Sequence, residues 1–440
     1  MKAWDQALDL ARRTPADRNR YVDFLRAFSI LVVVCGHWLG AAVQMDPNGE
    51  LSVVNPLELH PWLTWLTWLF QVMPIFFLVG GYSNLVGWRS AIRDATPYGA
   101  WLRTRLRRLL LPVVPLILFW GVVGGGLALW GADPDVLDTA SRAALMPVWF
   151  LATYVLVVAL TPPLIRAWDR WGWWSLAALA AAATLIDLLF LGDLVPGFLN
   201  YVFVWGGVHQ LGIAWGAGAI DRTGTRRWLA LGGLAAALLL VVPGPYPVSM
   251  VGLDSNEINN TVPPTIALLA VGVMQAGLAL LVEKPVRRWL DRPRAWAGVV
   301  LVNGMIMTIY LWHLTALMAF GVLLVLSGGF GLGLEVDTPL WWATRPLWLL
   351  LLALALVPFI IAFGRFERPH PDHRPPPPSW RPILGVVLAC IGMAFLAAEG
   401  LLVGTALNVL GLGLPLLAAA VGGVGGARWF ERNGPVLVEV

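Results

Sequence analysis

The feature that most constrains this chain is a run of apolar residues that recurs along its whole length. A bilayer core of roughly 30 Å is crossed by a helix of about 20 apolar residues, and the blocks have about this length. Only 13% of the 440 residues are charged, against about 25% in an ordinary soluble domain. The pattern predicts an all-α polytopic membrane protein. The twelve predicted spans are 24–43, 63–87, 109–130, 148–165, 173–191, 199–218, 228–243, 264–282, 297–326, 346–363, 383–403 and 407–426.

Positive charge alternates between successive loops, and this alternation orients the predicted helices. With a cytoplasmic N-terminus, 28 of the 30 Lys and Arg residues lie in cytoplasmic segments, and only Arg142 and Arg345 lie outside. Cytoplasmic loops carry an excess of Lys and Arg in membrane proteins. One missed span would invert every later loop and destroy the pattern. We therefore expect an even number of spans with both termini in the cytoplasm.

Composition narrows the class of protein further. The net charge of +4 comes from short basic clusters between apolar blocks, where membrane orientation accounts for them and a nucleic-acid partner is not needed. Nearly all basic residues are arginine, which fits a GC-rich bacterial genome and a bacterial cytoplasmic membrane. Cys35 and Cys390 both lie in apolar segments, so no disulfide framework is expected. The first apolar run is too long for a removable signal peptide.

A proline run divides the chain near its C-terminus. Pro375 to Pro378 follow a charged stretch between the tenth and eleventh predicted spans. Consecutive prolines favour extended polyproline geometry, so we expect a semi-rigid cytoplasmic linker between a ten-helix core and a C-terminal accessory helix pair. The predicted segments are a cytoplasmic N-terminal segment 1–20, a transmembrane core 21–368, the linker 369–382, the accessory pair 383–427 and a cytoplasmic tail 428–440.

Three histidines lie inside predicted spans. Ionisable side chains are costly in a bilayer, so each one is a candidate functional residue. A single intramembrane histidine often serves only as a hydrogen-bonded contact between helices. His37, His209 and His313 fall in spans one, six and nine, and three in one bundle favour a shared polar site.

The first span places a basic residue and a histidine on one helix face. Arg26 and His37 are eleven residues apart, which is about three turns and roughly 16 Å of helix rise. This face therefore links the cytosolic surface to the bilayer interior. Asp23 lies one turn before Arg26, where an (i, i+3) ion pair is the simpler interpretation and contact with a substrate is the alternative.

Four segments together resemble the acyltransferase family 3 membrane proteins. Segment 21–37, with its Arg-x10-His spacing, resembles the first-helix signature of that family. Segment 73–82 resembles the family's Pro-x-Phe-Phe-x-x-Ser-Gly-Phe motif, although the serine is absent and Tyr82 stands in place of the final Phe. Segment 103–112 is similar to the family's basic cytoplasmic loop, and segment 308–313 resembles its Tyr-Leu-x-His segment.

The resemblance implies a function. Members of this family move acyl groups from acyl-CoA to hydroxyls, which implies acyl-CoA as co-substrate and no tightly bound cofactor. The expected acyl group is acetyl, and the expected acceptor is a hydroxyl of a cell-envelope glycan, a glycolipid or a small metabolite. His37 becomes the catalytic histidine, while Arg26, Arg105 and Arg108 fall on motif positions suited to the anionic nucleotide. Whether His37 acts as a base or transiently carries the acyl group stays open.

General chemistry agrees with this implication. A hydroxyl is a poor nucleophile until its proton is removed, and histidine is the side chain whose pKa lies nearest neutrality. His313 is a candidate second acid or base, with Tyr310 one turn before it. His209, Tyr82 and Tyr310 are further candidates for contact with substrate, and a structural role is the alternative.

No metal site is expected. His370 and His373 lie near each other, but the prolines around them exclude the helical spacing of a metalloprotease motif. Many tryptophans, among them Trp62, Trp341 and Trp342, fall near the ends of predicted spans. This position is typical of an aromatic belt at the membrane interface.

Two other functions remain open from the sequence. A twelve-helix secondary transporter would use the intramembrane histidines as a proton relay, yet the chain shows no repeat between its halves. A non-catalytic scaffold that kept the acyltransferase fold is the second alternative. The lipid bilayer, acyl-CoA and the hydroxyl acceptor are the expected partners, and the sequence does not predict an oligomeric state.

Overall fold

The computed structural model describes residues 2–15, 18–46, 49, 51–253, 258–368, 374–404 and 406–424, and most of them are helical. His370, His373 and the predicted tail 428–440 lie outside the described residues.

The first part of the chain contains the helix that carries Arg26 and His37. Its second helix begins where the side chain of Asn19 accepts the backbone N–H groups of Tyr21 and Val22. A short hairpin follows that helix, with Ala42–Met45 (β1) antiparallel to Leu51–Val54 (β2). The helices are α1 (Lys2–Arg12), α2 (Arg20–Gly40), α3 (Pro56–Leu59), α4 (Thr67–Phe70), α5 (Met73–Arg93), α6 (Tyr98–Leu110) and α7 (Val113–Leu129).

The middle of the chain supplies the helices that pack against α5 and α6. Pro147 separates the first two of these helices, and together they are long and apolar enough for one candidate span. The helices are α8 (Pro134–Leu145), α9 (Val148–Ala159), α10 (Thr161–Trp171), α11 (Trp173–Leu191), α12 (Asn200–Gly216), α13 (Thr223–Val241), α14 (Ile266–Leu281) and α15 (Glu283–Leu290).

The last part of the chain contains the helix that carries His313 and the C-terminal helix pair. A two-residue hairpin, Leu402–Val403 (β3) with Ala406–Leu407 (β4), joins the last two helices. The helices are α16 (Pro293–Asn303), α17 (Ile306–Leu326), α18 (Pro339–Phe363), α19 (Trp380–Glu399) and α20 (Val409–Val421).

Among the described residues, eight helical segments are long and apolar enough to cross a membrane. The count rises to ten if the bent pairs α6 with α7 and α14 with α15 each form one span. The two other predicted spans correspond to α12 and α20, which have 17 and 13 residues. At 1.5 Å per residue α20 is shorter than the bilayer core, whereas α12 is buried inside the bundle. A multi-pass helical protein is thus observed, while twelve spans and cytoplasmic termini stay predictions.

Glycines let the central helices approach each other closely. A side chain at Gly81 of α5 would collide with the backbone of His209 in α12, and one at Gly212 would collide with the backbone of Leu78. Small residues at a crossing allow helix backbones to pack tightly within membranes. The crossing fixes α5 against α12.

Helices α2, α17 and α18 pack together and carry the residues of most interest. The indole of Trp38 donates to the carbonyl of His313 at 3.0 Å, and the indole of Trp348 donates to the carbonyl of Trp38 at 3.3 Å. The tenth apolar run was expected to begin at 346, but α18 begins at Pro339 because the Thr338 side chain caps it. Because α18 starts at this cap, Arg345 is part of the helix.

The C-terminal pair packs directly on the core. The thiol of Cys390 in α19 donates to the carbonyl of Ala152 in α9 at 3.2 Å. Arg142 pairs with Glu399 and donates to the carbonyl of Ala398. The linker carbonyls of Arg374 and Pro375 accept hydrogen bonds from the buried Arg103 of α6 at 3.1 and 2.9 Å. These contacts tie the linker and the pair to the basic helix α6.

His60, which follows α3, and Asp337, which precedes α18, meet at the end of the bundle opposite Arg26. His60 Nε2 and Asp337 Oδ2 are 2.5 Å apart, and the indole of Trp342 donates to Asp337 Oδ1 at 2.9 Å. Because both groups donate to the carboxylate, the pKa of Asp337 lies below its ordinary value.

Candidate active site

Two of the predicted histidines meet in the interior of the bundle. His37 Nδ1 of α2 and His313 Nε2 of α17 are 2.8 Å apart, and the two rings are inclined by only 13°. His313 is fully buried, whereas His37 keeps partial exposure and the neighbouring Gly36 faces open space. The accessible member of the pair is therefore His37.

The backbone fixes the hydrogen-bond direction within the pair. His313 Nδ1 lies 2.6 Å from the carbonyl oxygen of Tyr310, which can only accept, so Nδ1 carries the proton. In a neutral ring, Nε2 of His313 must then accept, and His37 Nδ1 must donate to it. The lone pair of His37 is consequently at Nε2. This arrangement leaves His37 able to take a proton from a third group.

A second cluster lies toward the N-terminal end of α2. Asp23 accepts from Arg26 at 3.0 Å and from Arg18 at 2.7 Å. Arg26 also donates to the hydroxyl of Ser83 in α5 at 3.1 Å. The structural interpretation of Asp23 thus holds for its carboxylate, which orients two guanidinium groups.

Helix α6 contributes two more arginines to this cluster. Arg108 interacts electrostatically with Arg26 and Arg18, and Arg105 interacts with Arg108. The Arg105 guanidinium lies 5.0 Å from the centre of the Trp101 ring, and a side chain at Gly87 would collide with it. Arg18 and Arg26 therefore bind the Asp23 carboxylate, and Arg105 and Arg108 add two positive charges beside them. Such an excess of positive charge is suited to a polyanion.

His209 belongs to a buried polar group next to the arginine cluster. Its Nε2 lies 3.2 Å from Nδ2 of Asn84, which donates, and its Nδ1 has no hydrogen-bond partner among the described residues. Tyr154 interacts electrostatically with Asn84, Arg26 and Arg105. The structure brings His209 near the arginines but not into contact with the histidine pair.

Two candidate tyrosines have packing roles. Tyr310 donates its hydroxyl to the carbonyl of Pro147 at 2.9 Å, and its own carbonyl orients His313. The Tyr82 ring lies 4.5 Å from the ring of Trp215 in α12. Neither phenol hydroxyl contacts His37 among the described contacts.

Sequence reasoning missed several residues that shape the site. Arg18 lies before the first span, and only the fold shows that it shares Asp23 with Arg26. Glu367, at the end of the turn after α18, accepts the backbone N–H groups of Met307 and Thr308 and so anchors the start of α17. Its place in the charged stretch after the tenth apolar run was the available signal.

The comparison with known families fits this geometry. A family model described as an acyltransferase domain, that of acyltransferase family 3, matches residues 19–365. The chain belongs to this acyltransferase family. The match covers Arg26, Arg105 and Arg108 as well as both histidines, and it ends two residues before Glu367.

Neither the curated proteins nor the solved structures include a significant match to the chain. The acyltransferase family match does not favour the transporter alternative. Family membership and apolar helices together support a membrane acyltransferase.

Proposed function

We propose that this acyltransferase is an integral membrane O-acyltransferase that uses cytosolic acyl-CoA, with acetyl as the acyl group. The acceptor is a hydroxyl of a cell-envelope glycan, a glycolipid or a small metabolite, and the membrane is a bacterial cytoplasmic membrane. The observation that carries the proposal is the 2.8 Å contact between His37 and His313. His37 lies on α2, the helix that also carries Arg26. The proposed proton acceptor and one arginine of the proposed anion-binding cluster thus share one helix.

The donor binds at the arginine cluster. The diphosphate and phosphate groups of acyl-CoA are anionic, and Arg18, Arg26, Arg105 and Arg108 supply guanidinium donors that match phosphate oxygens. The rise of about 16 Å from Arg26 to His37 gives the pantetheine arm a path along α2 toward the histidines.

His37 acts as the general base, and His313 is a positioning residue. The acceptor hydroxyl attacks the thioester carbonyl while His37 Nε2 takes its proton. A carbon–oxygen bond forms, the carbon–sulfur bond breaks, and the proton passes from His37 to the departing CoA thiolate. His313 Nε2 holds the other nitrogen of His37 throughout, so Nε2 of His37 stays directed at the acceptor.

The test is release of CoA thiol from acetyl-CoA by the purified protein in nanodiscs, with and without a crude envelope-glycan extract. We expect release that depends on the extract, disappears in His37→Ala and persists in His60→Ala. His60 is the matched control because it lies at the Asp337 contact, outside the proposed site.

Two outcomes would overturn the proposal. Extract-dependent release that survives in His37→Ala would remove His37 from the chemistry. If the unmodified protein neither binds acetyl-CoA nor releases thiol, the donor assignment fails and the transporter becomes the leading alternative.

A further inference from the structure

The single charged residue of α18 lies on the buried face of that helix. Trp341, Arg345, Trp348 and Leu352 follow a spacing of three or four residues, and all four are buried. Most of the remaining helix surface is apolar and exposed, as expected for contact with lipid. Arg345 is therefore directed into the bundle rather than toward lipid or bulk water.

The guanidinium of Arg345 lies between two indole rings. Its central carbon is 4.1 Å from the centre of the Trp341 ring and 5.2 Å from that of Trp348. Trp341 is only 2% exposed, so the expected position in an interfacial belt is wrong for this residue. It is buried because it packs against Arg345, Ala42 and Val336.

Arg345 has no carboxylate partner among the described residues. Its Nε donates to the carbonyl of Trp341 at 3.0 Å, and one terminal nitrogen donates to the hydroxyl of Thr344 at 3.2 Å. A guanidinium has five N–H donors, so these bonds leave donors to spare. Arg142, the other arginine of the predicted outer segments, pairs with both Asp138 and Glu399. The positive charge of Arg345 lacks such compensation.

One layer of tryptophans separates Arg345 from the histidine pair. Trp348 contacts the guanidinium and donates to the carbonyl of Trp38, the residue after His37. Trp38 in turn donates to the carbonyl of His313. Arg345 lies on the α18 side of the histidine pair, whereas the arginine cluster lies toward the N-terminal part of α2. A buried charge in a membrane protein typically faces a substrate path or a partner charge.

We propose that Arg345 forms an anion subsite for the acceptor, on the side of the histidine pair away from the donor arginines. The ligand chemistry is an oxyanion, either a carboxylate or a phosphate, carried by the hydroxylated acceptor. The planar guanidinium fork matches both groups, and the flanking indoles exclude water and hold the fork in place. This inference rests on the proposed function, because it assigns a chemical class to the acceptor.

The test is the thermal unfolding midpoint of the protein in nanodiscs, titrated at constant ionic strength with glucose, glucuronate or glucose 1-phosphate. We expect glucuronate or glucose 1-phosphate to half-saturate at a concentration at least about tenfold below that of glucose. The two anionic probes distinguish a carboxylate from a phosphate. Arg345→Gln should abolish the preference, and Arg345→Lys should weaken it because a lysine lacks the planar fork.

Control variants locate the effect. Arg142→Gln and Arg26→Gln should retain the preference for the anionic probes, since neither residue belongs to the subsite. The inference is overturned if the unmodified protein does not discriminate, if Arg345→Gln still discriminates, or if the preference is lost in Arg26→Gln instead. Because this readout needs no turnover, it separates failure of the subsite from failure of the acyl-transfer proposal, which thiol release measures.

Discussion

The arginines on the two sides of His37 differ in number and in exposure to water. Toward the N-terminal end of α2, two arginines bind the Asp23 carboxylate, two more lie beside them, and all four are at least partly exposed. On the other side, Arg345 alone is buried between two tryptophans. The orientation of membrane proteins already explains many arginines on the cytoplasmic side, so number alone singles out none of them. In the predicted orientation Arg345 lies on the opposite side, so that tendency does not explain it, and its burial carries more information about function.

The largest effect is expected at the histidine pair, which lies between the two groups of arginines. His313→Ala removes the acceptor for His37 Nδ1, so kcat should fall by about 100-fold while the KM for acetyl-CoA changes little. His313→Gln offers an amide oxygen to the same proton and should restore part of the rate. Steady-state thiol release measures both variants.

A merely structural role for His313 predicts a different pattern. Both variants would then lose thermal stability in parallel with activity, and glutamine would give no rescue. His60→Gln serves as the control for loss of an imidazole elsewhere in the chain.

The next effect separates the donor end from the acceptor end. Arg26→Gln should raise the KM for acetyl-CoA by about tenfold or more, because a charge-assisted contact with phosphate is lost. Its kcat at saturating acetyl-CoA should remain near that of the unmodified protein. Arg227→Gln, an exposed arginine at the start of α13, should change neither constant.

Arg345→Gln, measured in the same assay as Arg26→Gln, tests whether Arg345 and the arginine cluster bind different ligands. It should leave the KM for acetyl-CoA unchanged. If it raised that constant as Arg26→Gln does, the two ends would not be distinct.

The smallest effect concerns the linker that follows the family domain. Arg103→Gln removes the bonds that hold linker carbonyls on α6, and should lower the free energy of unfolding by about 1–3 kcal/mol. Because α6 also carries Arg105 and Arg108, any change in kinetics should appear in the KM for acetyl-CoA. Denaturation in nanodiscs and steady-state kinetics measure the two quantities. A fall in kcat with unchanged stability would contradict this assignment.

Some of these relations follow from local sequence, and others do not. Helical spacing predicted that Arg26 and His37 share one face of α2, because both lie on a single helix. It could not predict the contact of His37 with His313, since 276 residues separate them and tertiary packing decides which helices are neighbours.

The position of Arg345 shows a second limit. The apolar run begins after it, so hydropathy placed it outside the tenth span. The Thr338 cap extends α18 to Pro339 and carries Arg345 onto the buried face. Similarly, the apolar block at 407–426 predicted a full span, but α20 has only 13 residues, because Leu407 belongs to β4, Asn408 caps the helix and a turn at Gly422 and Gly423 follows it.

The most direct test of the central claim measures binding and turnover together on one variant. Purified His37→Ala is titrated with acetyl-CoA for equilibrium binding, and the same preparation is assayed for acceptor-dependent release of CoA thiol. The account predicts a Kd close to that of the unmodified protein and a rate that falls by about 1000-fold or more, because the arginines bind and the histidine reacts. A rate that remains near the unmodified value would contradict the account.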